Sequence, residues 1–315
     1  MHVVVIAGGV GAARFLQGLV EVIDPSDVTA IVNTGDDTIF HGLHVAPDLD
    51  TVTYTLASAI NPETGWGLAG ETWQAMDALQ RYKSAGALTW FNLGDRDLAT
   101  HLFRTDRLRC GAALSTVTDE IRRSWGLAVR LLPMSDDRVS TRVRTPEGLL
   151  GFQEYFVGRQ HSVPVSEVIL DGIDSAGPAP GVLEAIADAD AIVIAPSNPL
   201  VSIGPVLAVA GIREALVARR ANVCGVSPIV AGAALKGPAD RMLTELGHDA
   251  SVVGVARLYQ VFCSTLVIDG ADAALADAVT AAGVACVVTE TIMAKPGVGA
   301  SLAKACLRAC GVPAF

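Results

Sequence analysis

The sequence predicts an α/β fold in which a Rossmann-like, mostly parallel sheet is flanked by helices. Hydrophobic residues make up 51% of the 315-residue chain and aromatic residues only 5%, a balance typical of parallel strands buried on both faces. Short apolar, β-branched runs also alternate with segments of helical periodicity, as successive βα units do. The predicted strands cover residues 2–7, 28–32, 191–195, 222–226, 264–268 and 284–289.

The alternation is interrupted between residues 61 and 165 and resumes with the strand-like run at 165–170. Helical patterns cover residues 71–83, 95–108 and 114–125, and a hairpin pattern covers 139–145 and 149–158. The interruption predicts an inserted, mainly helical subdomain that carries a β-hairpin and lies over the active site. Residues 1–60 and 166–315 are then expected to form the Rossmann-like nucleotide-binding core.

The composition argues against two classes of partner. The formal net charge is −10 at pH 7, whereas nucleic-acid binding depends on clustered Lys and Arg. No apolar run approaches the roughly 20 residues that span a bilayer, and the N-terminal run is too short for a signal peptide. We therefore expect a cytoplasmic protein that binds neither nucleic acid nor membrane. The six cysteines form no Cys-x-x-Cys pair and are expected to be buried, reduced thiols.

The first strand leads into a glycine turn and a helix. Gly8, Gly9, Gly11 and Ala12 occupy this turn, which points backbone N–H groups and a helix N-terminus at an anion. No Gly-Lys-Ser/Thr follows, so the turn is not a Walker P-loop. Arg14 stands where a dinucleotide-binding turn has its third glycine, which indicates a different phosphate geometry. A tight βα turn without a ligand is the alternative.

The second predicted strand is followed by an acidic segment, residues 33–51. It contains Asp36, Asp37, Asp48 and Asp50, and carboxylates at the carboxyl end of a strand lie where open α/β sheets bind ligands. Two acidic clusters separated by an aromatic residue and two histidines favour a metal-binding site over a solvated loop that contains a helix cap.

Two further loops follow predicted strands at the same edge of the sheet. Residues 197–205, SNPLVSIGP, offer hydroxyl and amide groups, and Ser227 follows the next strand. In the central stretch, Asp95 is predicted to cap a helix and leave Arg96 free for an anion. Asp97 and His101 are four residues apart and are expected to pair on one helix face.

In chain order, the motifs AGGVGAARF, NTGDD, APDLDT, LGDRDLATH, LPMSDD, GFQEYF, APSNPLVSIGP and VSPIV resemble those of one family. This is the 2-phospho-L-lactate transferase and phosphoenolpyruvate transferase family of coenzyme F420 biosynthesis. The resemblance extends from end to end of the chain. It implies a Rossmann-like core with an inserted subdomain, and a homodimer.

The resemblance also implies the reaction. A phospholactyl or phosphoenolpyruvyl group would pass from a guanosine-diphosphate conjugate to the ribityl 5′-hydroxyl of 7,8-didemethyl-8-hydroxy-5-deazariboflavin, with Mg²⁺ required and GMP released. The protein is thus expected to be an enzyme that transfers a substituted phosphate group between small molecules. No motif decides whether the group is phospholactyl, phosphoenolpyruvyl or phosphoglyceryl.

The same resemblance implies roles for individual residues. Asp36 and Asp50 are expected to be catalytic and to hold Mg²⁺, with Asp37 and Asp48 as further metal candidates. Whether Asp50 is a metal ligand or a base is left open. The residues expected to bind substrate are Gly8, Gly9, Gly11 and Ala12 at the phosphates, Ser197, Asn198, Pro199, Ser202 and Gly204 at guanosine diphosphate, His41 and Thr51 at the acceptor, and Asn33, Arg96 and Ser227.

Two other functions are weighed against this one. A non-catalytic, UDP-sugar-binding regulator of the same superfamily would share the fold and the glycine-rich turn, but it resembles this chain less in the acidic segment. A nicotinamide-dependent dehydrogenase would need a glycine at Arg14 and an acidic residue at Asn33. For the transferase, Asp50→Asn is expected to abolish turnover and leave the fold intact, on the premise that Asp50 is exposed.

Overall fold

A parallel sheet of seven strands forms the centre of the computed structural model, which describes residues 1–312. The strands are β1 (Val3–Ala7), β2 (Val28–Val32), β3 (Thr38–Phe40), β4 (Leu43–Val45), β5 (Arg130–Pro133), β6 (Ser140–Thr145), β7 (Gly148–Gly151), β8 (Glu167–Asp171), β9 (Ala191–Ile194), β10 (Val223–Val226), β11 (Ile229–Val230), β12 (Ala233–Ala234), β13 (Thr265–Asp269) and β14 (Ala285–Thr289). The order in the parallel sheet is β14-β13-β10-β9-β1-β2-β5. The chain therefore winds outward in both directions from β1. This places a topological switch point between β1 and β9, where open α/β sheets bind ligands.

The strands of this sheet form because their apolar residues are covered on both faces. In β1, Val3 and Val5 pack with one helical layer, and Val4 and Ile6 pack with the other, as the two-residue period of a strand requires. All six strands predicted from the sequence lie in this sheet, so the predicted α/β class is confirmed.

Two helical layers cover the sheet. The helices are α1 (Val10–Leu19), α2 (Pro47–Leu56), α3 (Gln74–Leu79), α4 (Asp97–Arg109), α5 (Leu114–Ser124), α6 (Val182–Asp188), α7 (Gly204–Ala208), α8 (Ile212–Ala218), α9 (Ala239–Glu245), α10 (Val252–Tyr259), α11 (Ala276–Ala281) and α12 (Val298–Ala309). Helices α1, α2 and α12 share one apolar core with the sheet. Helices α6, α8 and α10 contribute to the core on the opposite face.

The seventh strand was not among the strands predicted for this sheet, although residues 129–139 have strand character in the sequence. β5 pairs in parallel with β2, with Thr29 opposite Arg130 and Val32 opposite Pro133. It is only four residues long, and its first residue is exposed, so its pattern does not reveal that it joins the parallel sheet. Part of the stretch 61–165, predicted to be an insertion, therefore contributes to the main sheet. The division into a core and an insertion stays a prediction.

A separate antiparallel sheet lies beside the main one in the order β7-β6-β8. The predicted hairpin is confirmed, with Arg142 opposite Gly151 and Thr145 opposite Gly148. Its second strand ends at Gly151, earlier than expected, and Glu154–Gly158 forms a π-helical turn because Phe152 and Tyr155 turn inward to an apolar cluster. The run at 165–170 supplies β8, which pairs with β6 and not with the parallel strands.

The cysteines are all free thiols in the structure. Four are buried, as expected, but Cys110 is exposed because it follows the C-terminus of α4 at the surface. Among residues 1–312, no single helix is long and apolar enough to cross a membrane. Two consecutive helical segments are together long and apolar enough by length and composition, but a bend of 91° separates them; they are Pro199–Ala208 and Ile212–Ala218.

Candidate active site

A cavity of about 740 Å³ opens at the carboxyl ends of β1, β2, β9 and β10. Each of the four loops predicted to bind a ligand contributes to its wall. The predicted site residues that line it are Gly9, Gly11, Asp36, Asp48, Asp50, Thr51, Ser197, Asn198, Ser202 and Ser227. Because this edge also contains the switch point between β1 and β9, the cavity is the natural ligand site of the fold.

The glycine turn brings the other loops close to the N-terminus of α1. A Cβ atom at Gly9 would lie 2.5 Å from Oδ1 of Asp48, and one at Gly11 would collide with the carbonyl oxygen of Pro196. The Gly8 amide donates to Oγ of Ser197 at 3.3 Å. Glycine is therefore required at Gly9 and Gly11 for the acidic segment and the serine loop to approach the helix. Gly8 and the buried Ala12 support this turn without lining the cavity.

Asp36 and Asp48 form a close acidic pair at one side of the cavity. Asn33 Nδ2 donates to Asp48 Oδ2 at 2.9 Å, and Asn33 Oδ1 accepts from the Gly35 amide at 2.9 Å. Asn33 is fully buried and absent from the wall. It therefore positions Asp48 in this structure, whereas the sequence analysis expected it to bind substrate directly.

The environment of this pair suits a divalent cation. Burial, and then the charge of Asp48, raise the pKa of Asp36 well above its ordinary value. Burial likewise raises the pKa of Asp48 to about 6. Among the described residues, Asp36 Oδ1 has no hydrogen-bond partner although it is buried. A cation held by these oxygens would remove both the repulsion and the unmet hydrogen-bonding need, and carboxylate oxygens are ligands that Mg²⁺ prefers.

The raised pKa of Asp48 predicts a difference in stability between wild type and Asp48→Asn that grows with pH. Because the folded-state pKa of Asp48, about 6, exceeds its reference value of 3.8, its contribution to stability is complete below pH 3.8 and is lost as the pH rises through 6. In metal-free buffer, the melting temperature of Asp48→Asn should therefore increase relative to that of wild type as the pH rises from 4 to 7. Added Mg²⁺ should stabilise wild type more than the variant at pH 7. Parallel melting curves for the two proteins across this range would contradict the prediction.

Asp37 lies behind the acidic pair and does not line the cavity. Neither of its buried carboxylate oxygens has a hydrogen-bond partner among the described residues, and Oδ2 lies 3.7 Å from Nε2 of His44. Burial raises its pKa well above the ordinary value, although the charge of Arg104 opposes this. Its place outside the wall makes it a weaker metal candidate than Asp36.

Asp50 is buried and paired with an arginine that the sequence analysis missed. Asp50 is only 5% exposed. Both of its carboxylate oxygens accept hydrogen bonds from the Arg104 guanidinium, and the distance from Nη1 to Oδ2 is 3.1 Å. Arg104 itself is 2% exposed. The expectation that Asp50→Asn leaves the fold intact because the site is exposed is therefore wrong in its premise. The substitution weakens a buried ion pair, which costs stability as well as activity.

A second pair lies beside Asp50. His101 Nε2 lies 3.3 Å from Asp97 Oδ2, so the predicted pairing of these two residues is confirmed, and Tyr54 donates to Asp97 Oδ1 at 2.6 Å. Burial opposes ionisation of Asp97, but the hydrogen bond and charge of His101, with the Tyr54 bond, lower its pKa. Ligand atoms of Asp50, Asp97 and His101 lie within 4.8 Å of one another and form an alternative set of metal ligands.

Other predicted site residues lie away from the cavity wall. His41 occupies the exposed turn between β3 and β4. Arg96 is exposed, lies outside the cavity wall, and its guanidinium donates to the Ala69 carbonyl at 2.6 Å. Glu71 accepts from the Arg96 and Asp97 amides at 2.8 Å each and caps α4.

The other helix ends near these residues are also occupied. Asp95, which was expected to cap α4, instead accepts from the Gln74 and Ala75 amides and caps α3. The Asn198 side chain caps the turn at Pro199–Ile203. Pro199 and Gly204 form the backbone of this turn without lining the cavity.

Aromatic side chains form another part of the wall and were not predicted as site residues. The rings are Tyr54, Trp66, Trp90, Phe91, Phe152 and Phe156. Phe152 and Phe156 stack with centroids 5.6 Å apart and planes 13° apart. An unusual density of tryptophan in the central stretch was the available sequence signal. The cavity thus combines carboxylates at one part of its wall with flat apolar surfaces at another.

The fold and the cavity define an α/β protein with an acidic and aromatic ligand site at the carboxyl edge of a parallel sheet. Residues 3–300 match the family described as 2-phospho-L-lactate transferase CofD. The chain belongs to this family and is a transferase.

Relatives of similar length support the assignment. The chain is 47% identical to a phosphoenolpyruvate transferase of Kitasatospora aureofaciens, over 98% of this chain and 97% of the relative. It is 43% identical to one of Nocardia farcinica, over 99% and 95%. Among solved structures, protein BH3568 of Bacillus halodurans has a TM-score of 0.62 at 17% identity, over 97% of this chain and 99% of that one. This last likeness supports the fold alone.

Proposed function

We propose that the protein transfers a phosphoenolpyruvyl or phospholactyl group from a guanosine-diphosphate conjugate to the ribityl 5′-hydroxyl of 7,8-didemethyl-8-hydroxy-5-deazariboflavin in coenzyme F420 biosynthesis. The observation that carries the proposal is one cavity that holds both paired carboxylates beside a glycine turn and an aromatic wall. The carboxylates suit a diphosphate with its cation, and the rings suit a planar acceptor. Relatives named phosphoenolpyruvate transferase favour the phosphoenolpyruvyl donor.

The reaction forms one bond and breaks another. The acceptor hydroxyl oxygen attacks the phosphorus that carries the transferred group, the bridging bond of the diphosphate breaks, and GMP leaves. The hydroxyl proton is released. Catalysis of this kind depends mainly on alignment and on neutralisation of charge on the phosphoryl oxygens, and a Mg²⁺ ion at the site would supply that neutralisation.

We assign separate roles to the carboxylates. Asp36 and Asp48 would hold Mg²⁺, because Asp36 keeps an unpartnered oxygen and the charge of Asp48 disfavours ionisation of Asp36 when no cation is present. Asp50 would orient the attacking hydroxyl, since Arg104 already binds both of its oxygens and each still has a free lone pair. The amides at the start of α1 would face the diphosphate.

We also propose, from the family resemblance, that the protein acts in the cytoplasm as a homodimer. Its partners would be small molecules, with no nucleic acid and no membrane. Sedimentation equilibrium at several protein concentrations tests the dimer.

The direct test is a mass-spectrometric assay of the purified protein with Mg²⁺, the deazaflavin and each guanosine-diphosphate donor in turn. We expect GMP and a phosphodiester-extended deazaflavin, with the phosphoenolpyruvyl donor the best substrate. Absence of product with every donor, together with tight binding of a uridine-diphosphate sugar, would favour the regulatory function instead.

The aromatic wall gives a separate prediction for the acceptor. Phe156→Leu should raise the KM for the deazaflavin roughly three- to tenfold, because a stacking ring contributes about 0.5–1.5 kcal/mol. The KM for the donor should stay unchanged. Tyr82→Leu is the matched control, since Tyr82 is 60% exposed and outside the cavity. Steady-state kinetics with each substrate varied in turn will measure the effect, and equal changes in both constants would rule out a specific contact with the acceptor.

A further inference from the structure

The cavity wall contains two cationic side chains to which the proposed reaction assigns no role. Among the described residues that line it, Arg14 and Lys236 are the only arginine and lysine. The ionisable groups elsewhere on the wall are His101, the Tyr54 phenol and the carboxylates of Asp36, Asp48, Asp50 and Asp97. The two cations were not predicted as ligand-binding residues.

The two cationic side chains lie on different elements of the fold. Arg14 lies on α1, about one turn after the glycine turn, and Lys236 lies in the loop between β12 and α9. The Lys236 ammonium donates to the Thr64 carbonyl at 3.4 Å. A Cβ atom at Gly65 would lie 3.0 Å from Lys236 Nζ and 3.6 Å from Val10 Cγ1. The loop that contains Gly65 thus links Lys236 to the first turn of α1.

Their charges are close enough to interact. Burial, and then the charge of Arg14, lower the pKa of Lys236. Within residues 1–312, the Arg14 side chain makes no hydrogen bond or ion pair, and the bond to Thr64 is the one made by the Lys236 ammonium. Other arginines near the cavity, such as Arg104 and Arg241, are paired with carboxylates. Both cations line one cavity, and no ion pair joins either of them to a carboxylate among the described residues, so together they suit an anion.

We infer that Arg14 and Lys236 together bind an oxyanion of the donor, an inference that rests on the proposed function. The donor has two oxyanion groups of the required chemistry, its diphosphate and the carboxylate of the transferred group. Either would bring a charge-assisted hydrogen bond to each cation. The acidic pair would hold the donor through a cation, and Arg14 and Lys236 would hold it directly.

Calorimetric binding of inorganic pyrophosphate, phosphoenolpyruvate, GDP and GMP in the presence of Mg²⁺ tests the inference. The variants are Arg14→Gln and Lys236→Gln, with Arg81→Gln and Lys83→Gln as controls that remove the same charges outside the cavity. We expect each cavity variant to bind pyrophosphate or phosphoenolpyruvate about tenfold more weakly, the loss typical of one charge-assisted hydrogen bond. The controls should bind as wild type, and Arg14→Lys should recover part of the affinity.

The probes distinguish the two sources of the oxyanion. Weaker GDP binding with unchanged GMP binding identifies the terminal phosphate, whereas weaker phosphoenolpyruvate binding with unchanged GDP binding identifies the carboxylate. The inference is overturned if both variants bind all four probes as tightly as wild type, or if wild type binds neither pyrophosphate nor phosphoenolpyruvate. Failure of the proposed reaction would instead show as absent turnover in a wild-type protein whose pyrophosphate binding still depends on both cations.

Discussion

Asp36→Asn is expected to lower kcat roughly a hundred- to a thousandfold, the usual effect of removing one group that stabilises charge in a transition state. The protein should nevertheless be as stable as wild type, or more stable. Burial and the neighbouring Asp48 charge disfavour ionisation of Asp36, and the substitution removes this unfavourable charge with almost no change in volume. Steady-state kinetics and thermal unfolding in metal-free buffer will measure both effects.

Asp37→Asn is the matched control. Asp37 is a neighbouring carboxylate with a similarly raised pKa, but it lies outside the cavity wall. We expect comparable stability in metal-free buffer and a much smaller loss of kcat. Equal losses of activity in the two variants would show that the acidic segment acts through its total charge and not through Asp36.

Arg104→Met is expected to destabilise the protein by about 3–5 kcal/mol, the usual cost of removing one partner of a buried ion pair. The variant leaves the buried Asp50 carboxyl without its guanidinium partner, and it removes the donor to the His44 carbonyl as well. Activity should fall with it, because Asp50 loses the group that fixes its orientation. Equilibrium unfolding in urea will give the free energy of unfolding.

The double variant Arg104→Met/Asp50→Leu tests whether the loss comes from an uncompensated charge. Since it removes both charges, it should recover much of the stability without recovering activity. Arg104→Lys should recover little of either, because an ammonium cannot bind both carboxylate oxygens in the same plane. A wild-type free energy of unfolding for Arg104→Met would refute the structural role of the pair.

The sequence predicted the sheet well because its strands are short, almost wholly apolar and buried on both faces. β5 was not assigned to this sheet because its four residues begin with an exposed arginine. The partner of β8 could not be predicted because antiparallel pairing depends on tertiary packing. The convergence of four loops followed from one physical rule, that parallel strands end at a common edge. The division into a core and an inserted subdomain is untested and remains a prediction.

The site was predicted less completely than the fold. Asp50 was assigned to the site, but its partner lies 54 residues further along the chain on a helix whose other arginines are surface residues. Asp97, His101 and Arg104 follow one another at the spacing of a single helix face, and this pattern was the missed signal. Arg96 and His41 do not line the cavity, so their predicted contacts with substrate stay predictions.

Asp48 and Asp50 lie in the same first turn of α2 but point to different neighbours, one to Asn33 and the glycine turn and the other to Arg104. Residues two apart on a helix project to nearly opposite sides, so the helical turn acts as a rigid spacer between the two carboxylates. The helix, and not a flexible loop, therefore sets the separation between the carboxylate assigned to the cation and the carboxylate assigned to the acceptor hydroxyl.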